Sequence, residues 1–365
     1  MGSAIGRLFR VTTFGESHGA AIGGIVEGCP PGIALDLDAI QAELVRRRPG
    51  GRLSSPRKER DEVEILSGVF EGKTLGTAIG LLIRNKDADP RAYAPFADRY
   101  RPSHADYTYE ARYGRRDWRG GGRASARETA VRVAAGAIAR QVLAALAGIE
   151  IVGWVEQVGG IVADVSADTV QRDAVEASEV RCPDPVRSAE MVTLIEDVRR
   201  EKDTVGGIVR CVARGVPAGL GAPVFDKLEA DLAKACMSIP AAKGFSSGTG
   251  FAAAAMRGSQ HNDPFISGAD GPQTSTNHSG GIQGGISNGM PVLISVAFKP
   301  VATIFTAQQT VTTSGEAALI QPRGRHDPCV VARAVPIVEA AVAMTLCDHI
   351  LRRPRFVEAA HQHKP

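Results

Sequence analysis

The chain has 365 residues, 44 % hydrophobic and 23 % charged, a balance that supports a substantial core and excludes a disordered or low-complexity polymer. No apolar run approaches the roughly 20 residues that span a bilayer, and the first residues, MGSAIGRLFRVTTFG, lack the hydrophobic stretch of a signal peptide. The net charge of +3 hides an asymmetry, because residues 1–140 hold 23 Lys and Arg against 17 Asp and Glu while the remainder is net negative.

In chain order, strands are expected over residues 8–13 and 21–27, then a short helix over 38–48 that stops before Pro49. Strands follow over 62–66 and 78–84. A long alanine-rich helix is expected over 126–147, with Val131, Ala135, Ile138, Val142 and Leu146 at helical spacing and Gly148 as its stop. Beyond it come a strand over 150–158, a helix over 188–202, a strand over 208–213, a helix over 225–237, a strand over 292–298 and a helix over 336–352. Ser125-Ala126-Arg127-Glu128 fits a capping box at the start of the long helix. Gly120-Gly121-Gly122 just before it reads either as a phosphate-binding approach to a helix N-terminus or as a flexible loop with an ordinary cap. The 41 glycines concentrate between residues 244 and 289, and the polar segment 257–279 is expected to be a loop. The pattern indicates mixed α and β structure with antiparallel pairing favoured over βαβ crossovers. One domain is expected over 1–352, with a flexible polar tail over 353–365.

Arginine supplies 34 of the 43 basic residues. A codon bias explains such a ratio but not the clustering of Arg46-Arg47-Arg48, Arg52 and Arg57, or of eight arginines between Arg99 and Arg127. The planar guanidinium binds carboxylate and phosphate bidentately, so these clusters point to a multiply anionic partner. A nucleic acid is the competing partner, but aromatic content is only 5 % and no nucleic-acid-binding module is recognisable. The segment "GVFEGKT" (68–74) is one residue short of a P-loop, and no GxGxxG opens a helix after a strand. Six scattered cysteines show no metal-like spacing, which leaves no metal site and suits reduced thiols. Ser17-His18 is not expected to form a nucleophile–base pair, since neighbours in a strand or turn rarely face each other. Four histidines lie in Gly-, Ser- or Arg-rich segments: His18, His104 in "RPSHADY", His278 and His326. A histidine beside an anionic ligand holds its proton more tightly and can act as an acid.

The blocks "LFRVTTFGESHG" (8–19), "RPSHADYTYEARYG" (101–114), "GRASARETAVRVAAGAIA" (122–139), "GGIQGGISNG" (280–289) and "GRHDPCVVARAVPIVEA" (324–340) resemble the chorismate synthase family. They occur in the family's order from about residue 5 to residue 352. The resemblance implies an α+β fold of the chorismate-synthase type, a β-α-β sandwich with helices packed between antiparallel sheets, assembled as a homotetramer in the cytoplasm. It implies elimination of phosphate from 5-enolpyruvylshikimate 3-phosphate to give chorismate. Reduced FMN is needed without net redox change. NADPH would serve only indirectly, through a separate flavin reductase. Neither nucleic acid nor membrane is an expected partner.

By the same resemblance, His18, His104 and Asp327 are the catalytic residues. His18 would act as an acid at the departing phosphate, His104 as a proton donor near flavin N1 and Asp327 as an aid to deprotonation at N5, with a direct protein base as the alternative proton acceptor. Ser17, Arg47, Arg48, Arg52, Ala126 and Arg127 would contact substrate. Arg123, Ala124, Ser125, Ala241, Gly284, Lys299, Pro300, Val301, Ala302, Thr303 and Arg325 would contact the flavin. The family often carries serine at the position of Ala124 and a Thr/Ser run where this chain has Val301-Ala302-Thr303, so hydroxyl contacts to flavin are reduced here.

Overall fold

Two five-stranded antiparallel sheets enclose the longest helices. The computed structural model describes residues 2–54, 60–86, 91, 93–268, 271–322 and 327–353; Arg57, Arg325, His326 and residues 354–365 of the expected tail lie outside them. The first sheet has the spatial order Ala4–Ile5, Arg10–Phe14, Ala21–Glu27, Ile79–Arg84, Val63–Ile65. The second runs Ala242–Ser247, Val292–Phe298, Gly207–Arg214, Glu150–Val158, Ile161–Val162. Alternation sets the inward face of the first sheet: Ile79, Leu81 and Ile83 are all buried, as the two-residue period of a strand requires.

The described helices are α1 (Leu37–Arg47), α2 (Asp106–Tyr113), α3 (Thr129–Ala147), α4 (Arg172–Glu176), α5 (Pro185–Arg200), α6 (Leu228–Met237), α7 (Gly258–His261) and α8 (Val331–Arg352). Helix α3 packs against the first sheet and α8 against the second, and the two pack on each other. Their close approach depends on Gly136, where an added Cβ would lie 2.3 Å from the Cβ of Ala340. The fold is therefore the α+β sandwich with helices between antiparallel sheets that the resemblance implied.

The segments Ala126–Ala147 and Val331–Arg352 are each 22 residues long and apolar enough to cross a membrane by length and composition, contrary to the expectation that no stretch approaches that size. Burial explains their composition instead, since 61 % and 89 % of the apolar windows are enclosed by the protein and a helix apolar on all sides belongs in an interior.

The element ends differ from expectation for local reasons. Helix α5 begins at Pro185, earlier than expected, with the Asp184 carboxylate accepting from the backbone N–H of Val186 and Arg187; proline suits the first helical position because the N–H it lacks has no intrahelical partner there. Helix α8 begins at Val331 and runs through Pro336. A proline frees the carbonyl four residues earlier, and Arg181 Nη1 donates to that oxygen, Ala332 O, at 2.6 Å. The expected capping box forms only in part. Ser125 Oγ accepts from Arg127 N at 3.2 Å, but Glu128 turns to Arg132 at 2.8 Å, so residues 126–128 form a 3-10 turn before α3.

One expectation of a loop was wrong, and two further elements were not anticipated. Residues 257–279 contain α7 and a hairpin of Phe265–Gly268 with Gly271–Thr274. The glycine-bearing Ala242–Ser247 is an edge strand supported by Val292–Phe298. Helix α2 follows "RPSHA" without any apolar periodicity to announce it.

A buried carboxylate joins the layers. Glu339 of α8 is 1 % exposed and accepts from Arg46 of α1 at 2.6 Å, Arg140 of α3 at 3.1 Å and the backbone N–H of Gly153 in the second sheet at 2.8 Å. Burial opposes its charge, but Arg46 and Arg140 outweigh that and hold the carboxyl below its ordinary range. Removing one partner of such a set leaves charge stranded in the interior. Glu339→Ala is therefore expected to lower the unfolding free energy by about 3–5 kcal/mol, read as a fall in the urea midpoint with an unchanged slope.

Candidate active site

A cavity of about 1170 Å³ opens where the N-terminal ends of α3 and α8, the turn before α2, the Gly120–Gly122 turn and the exit of strand Val292–Phe298 converge. Its wall carries eight basic residues (Arg47, Arg115, Arg116, Arg119, Arg123, Arg132, Lys299 and Arg333) against four acidic ones (Glu16, Asp106, Asp117 and Glu128). The helix N-termini add partial positive charge to this excess. Such a site favours a multiply anionic ligand.

The turn "RPSHADY" forms one side. His104 N donates to Arg101 O at 3.1 Å and closes the turn, and Ser103 takes a left-handed φ of +58°. Lys299 crosses from the second sheet to donate to Ser103 O at 2.8 Å. Asp106, the first residue of α2, accepts two side-chain bonds from Arg101, at 2.8 and 2.7 Å, and one from Arg101 N at 3.0 Å. The Nδ1 of His104 lies 3.2 Å from Asp106 Oδ1. Burial opposes ionisation of Asp106, but the hydrogen bonds from Arg101 and the nearby His104 ring outweigh it and hold the carboxyl well below its usual range.

The opposite side rests on a second buried carboxylate. Asp61 accepts from Arg47 Nη2 at 2.7 Å and also from Arg127 Nη1. Arg47 further donates to Ala126 O at 3.1 Å, and Arg127 to Asn85 Oδ1 at 2.9 Å. Burial would raise the Asp61 carboxyl, yet the two guanidiniums win and depress it. The group keeps one net positive charge beside the cavity. Arg333 of α8 binds Asp327 and donates to Arg47 O at 3.0 Å, so Asp327 is tied to the same wall.

Arg123 is placed differently. Its guanidinium donates to Thr13 Oγ1 at 2.7 Å, Thr13 O at 3.2 Å and Gly15 O at 3.2 Å, all neutral oxygens. Arg115 lines the cavity with no hydrogen-bond or ion-pair partner among the described residues. These two charges are held or presented without being neutralised by a described carboxylate. Ala241, whose φ of +70° is unusual for a residue with a Cβ, turns its backbone along the wall, and its carbonyl accepts from Lys299 N at 3.0 Å.

Of the residues named from sequence, His104, Arg47, Arg123, Ala124, Ala126, Ala241, Lys299, Pro300, Val301 and Ala302 line this cavity. Ser17 and His18 pack against its glycine turn. Gly120 has φ +69°, and a Cβ there would sit 2.5 Å from the His18 ring, while Ser17 N donates to Gly122 O at 3.4 Å. Contrary to expectation, Ser17 Oγ and His18 Nδ1 do face each other, at 3.1 Å. Ser125 caps the turn before α3, and Thr303 is buried close after the cavity-lining residues. Four residues lie elsewhere than on this wall. Arg52 pairs with Glu179 and Glu196 at 3.0 and 2.8 Å. Gly284 occupies the tight turn between Ile282–Gln283 and Ile286–Ser287. Arg48 is half-buried, and its side chain has no partner among the described residues. His278 bonds to Thr249 Oγ1 at 3.1 Å away from the cavity.

Asp61, Asp106 and Arg333 were not singled out from sequence. Asp106 sits two residues from His104 and could have been flagged by that spacing. Asp61 lies in the charge-rich run "KERDEVE", which reads as surface, and no local pattern announces its burial. The thiols are chemically quiet: burial pushes Cys236 and Cys329 up to about 12 and Cys29 up to about 11.

A family model described as "Chorismate synthase" matches residues 9–351. The chain is 59 % identical over 354 residues to the chorismate synthase of Thermosynechococcus vestitus, covering 96 % of this chain and 98 % of that protein. It is 57 % identical over 355 residues to that of Synechococcus elongatus, covering 97 % and 98 %. A solved structure titled "Crystal Structure of Chorismate Synthase" superposes with a TM-score of 0.75 at 33 % identity, covering 95 % of this chain and 93 % of that one.

The depressed Asp61 carboxyl makes a signed prediction. Its ordinary value is 3.8 and its folded value lies lower, so its stabilisation is whole above pH 3.8 and is lost as the pH falls below it. Asp61→Asn is expected to lower stability at neutral pH by about 3–5 kcal/mol and to flatten the acid side of the stability curve. Urea titrations at a series of pH values from neutral to about 3 test both effects.

Proposed function

The chain belongs to the chorismate synthase family of carbon–oxygen lyases acting on phosphates, and from that premise we propose how it works. It converts 5-enolpyruvylshikimate 3-phosphate to chorismate and phosphate by 1,4-anti elimination, dependent on reduced FMN and without net redox change. The observation that carries this reading is the electropositive cavity, in which Arg123 is held, among the described residues, by neutral oxygens.

The residues fit a flavin. A cavity of about 1170 Å³ exceeds the size of an ordinary small-molecule site, leaving room for a tricyclic ring and a phosphorylated substrate together. Arg123 and Lys299 supply cationic donors for a phosphate, and Ala124, Ala241, Val301 and Ala302 present small side chains and backbone to a ring. Thr303, Ser125, Gly284 and Arg325 complete the assignment by resemblance. Held there by Arg123, Lys299 and the small residues beside them, reduced FMN would supply electron density to the breaking allylic C–O bond and a basic N5 for the proton at C6.

The chain's own groups bind, orient and carry protons. The Arg47–Asp61–Arg127 set, with one surplus positive charge, draws in the substrate's carboxylates and phosphate, with Ser17 and Ala126 as further contacts; Arg48 and Arg52, which do not line the cavity, are assigned to the substrate by resemblance alone. His18 holds a proton for the departing phosphate, and neighbouring arginines neutralise its oxygens. His104 holds a proton beside flavin N1. Asp327, gripped by Arg333, assists the later removal of a proton at N5. The protein works as a homotetramer in the cytoplasm, where a separate reductase draws on NADPH to supply reduced flavin; six buried free thiols support a reducing compartment.

An anaerobic assay with dithionite-reduced FMN and the enolpyruvyl substrate tests the reading. Chorismate and phosphate should appear in equal amounts with flavin remaining reduced; flavin reoxidation in step with turnover would instead mark an oxidoreductase. His104→Ala and His18→Ala are each expected to cut turnover by about 10²–10⁴-fold, the usual contribution of a positioned acid, with flavin affinity largely kept. Normal turnover in both variants would remove the roles assigned to them.

A further inference from the structure

Resting on the reading of His104 as a proton-carrying residue, we propose that Asp106 is its positioning residue, fixing the imidazole as the Nδ1–H tautomer so that Nε2 is presented to the cavity. Asp106 Oδ1 lies 3.2 Å from His104 Nδ1. That nitrogen is fully buried and no described group, Asp106 included, meets it with a well-aligned hydrogen bond; the Asp106 carboxylate at 3.2 Å is the acceptor within reach of its proton. Bonds of this kind are often long or bent before a ligand arrives and tighten in the working complex. A carboxylate accepts and cannot donate, so it selects the ring nitrogen that bears hydrogen.

The carboxylate is itself immobilised. Arg101 grips both its oxygens at 2.8 and 2.7 Å and adds its backbone N–H at 3.0 Å, and Arg116 Nη1 lies 3.5 Å away. Asp106 is 5 % exposed, so its direction is set by protein rather than by solvent. Arg101 Nη2 also donates to Gly120 O at 2.6 Å, and Gly120 is the residue pressed against the His18 ring. One ion pair therefore braces the turn that carries His104 and the wall against which His18 rests. The left-handed Ser103, held by Lys299, leaves His104 little freedom to turn elsewhere.

Asp106→Asn keeps the shape and can offer an N–H to Nδ1, favouring the other tautomer. It is expected to lower kcat by about 100-fold, at the low end of what a positioned acid contributes, with KM within threefold and FMN affinity unchanged. In a His104→Ala background the same substitution should cost only a small part of that loss, because its main effect runs through that ring and only the bracing of the His18 wall is left to lose. An additive loss in the double variant would assign Asp106 a merely structural role and overturn the proposal. A nitrogen-15 NMR measurement on the unsubstituted protein stands apart from activity and from the folding of any variant. It should find neutral His104 protonated at Nδ1, and the Nε2–H tautomer would overturn the proposal. If His104→Ala turned over normally while the Nδ1–H tautomer was observed, the positioning would stand and the catalytic role of His104 would fall.

Discussion

A guanidinium inside a protein must meet an anion, and that constraint organises this molecule from its core to its cavity. Three of its buried carboxylates show how. Glu339 gathers Arg46 and Arg140 where the helices meet the second sheet, Asp61 gathers Arg47 and Arg127, and Asp106 gathers Arg101 with His104. Each is enclosed, so burial acts against its charge, and each stays ionised because the cations around it outweigh that penalty. Such sets add little net stability over a well-packed apolar core, but they are costly to break, and they hold the elements they join in one register.

The three sets differ in what they leave over. Around Glu339 the positive charge is shared with Glu43 and Glu176, away from the cavity. Around Asp61 two guanidiniums share one carboxylate beside a cavity, so positive charge remains for a ligand. Arg123 goes furthest, being anchored by carbonyl and hydroxyl oxygens that orient it without cancelling it. Electrostatic stabilisation of a developing anion works best when the charge is already aimed and needs no reorganisation. Here the packing of α3 and α8 aims it, because both helices begin at the cavity wall.

Much of the architecture was legible in the sequence. The strands over Ala21–Glu27, Glu150–Val158 and Val292–Phe298 follow from apolar runs edged by glycine, and the long helices follow from their 3.6-residue period. Elements whose stability is supplied by a neighbour were not legible. Helix α2 is held by the Asp106–Arg101 pair rather than by an apolar face, and Ala242–Ser247 becomes a strand only because Val292–Phe298 offers it a ladder. The start of α8 was hidden by Pro336, since the cost of that proline is relieved by Arg181, a residue 151 positions from the Ala332 carbonyl it satisfies.

The sequence by itself determined the family, the order of the main strands and helices, and the excess of arginine in the first 140 residues, because periodicity and long motif blocks are local properties of a chain. Only the tertiary structure decided which arginines are neutralised and which face a ligand, that Ser17 meets His18, and that Asp61 is interior rather than surface. Those outcomes depend on which carboxylate arrives beside which guanidinium, and that is set by the crossing of α3 and α8 between the two sheets.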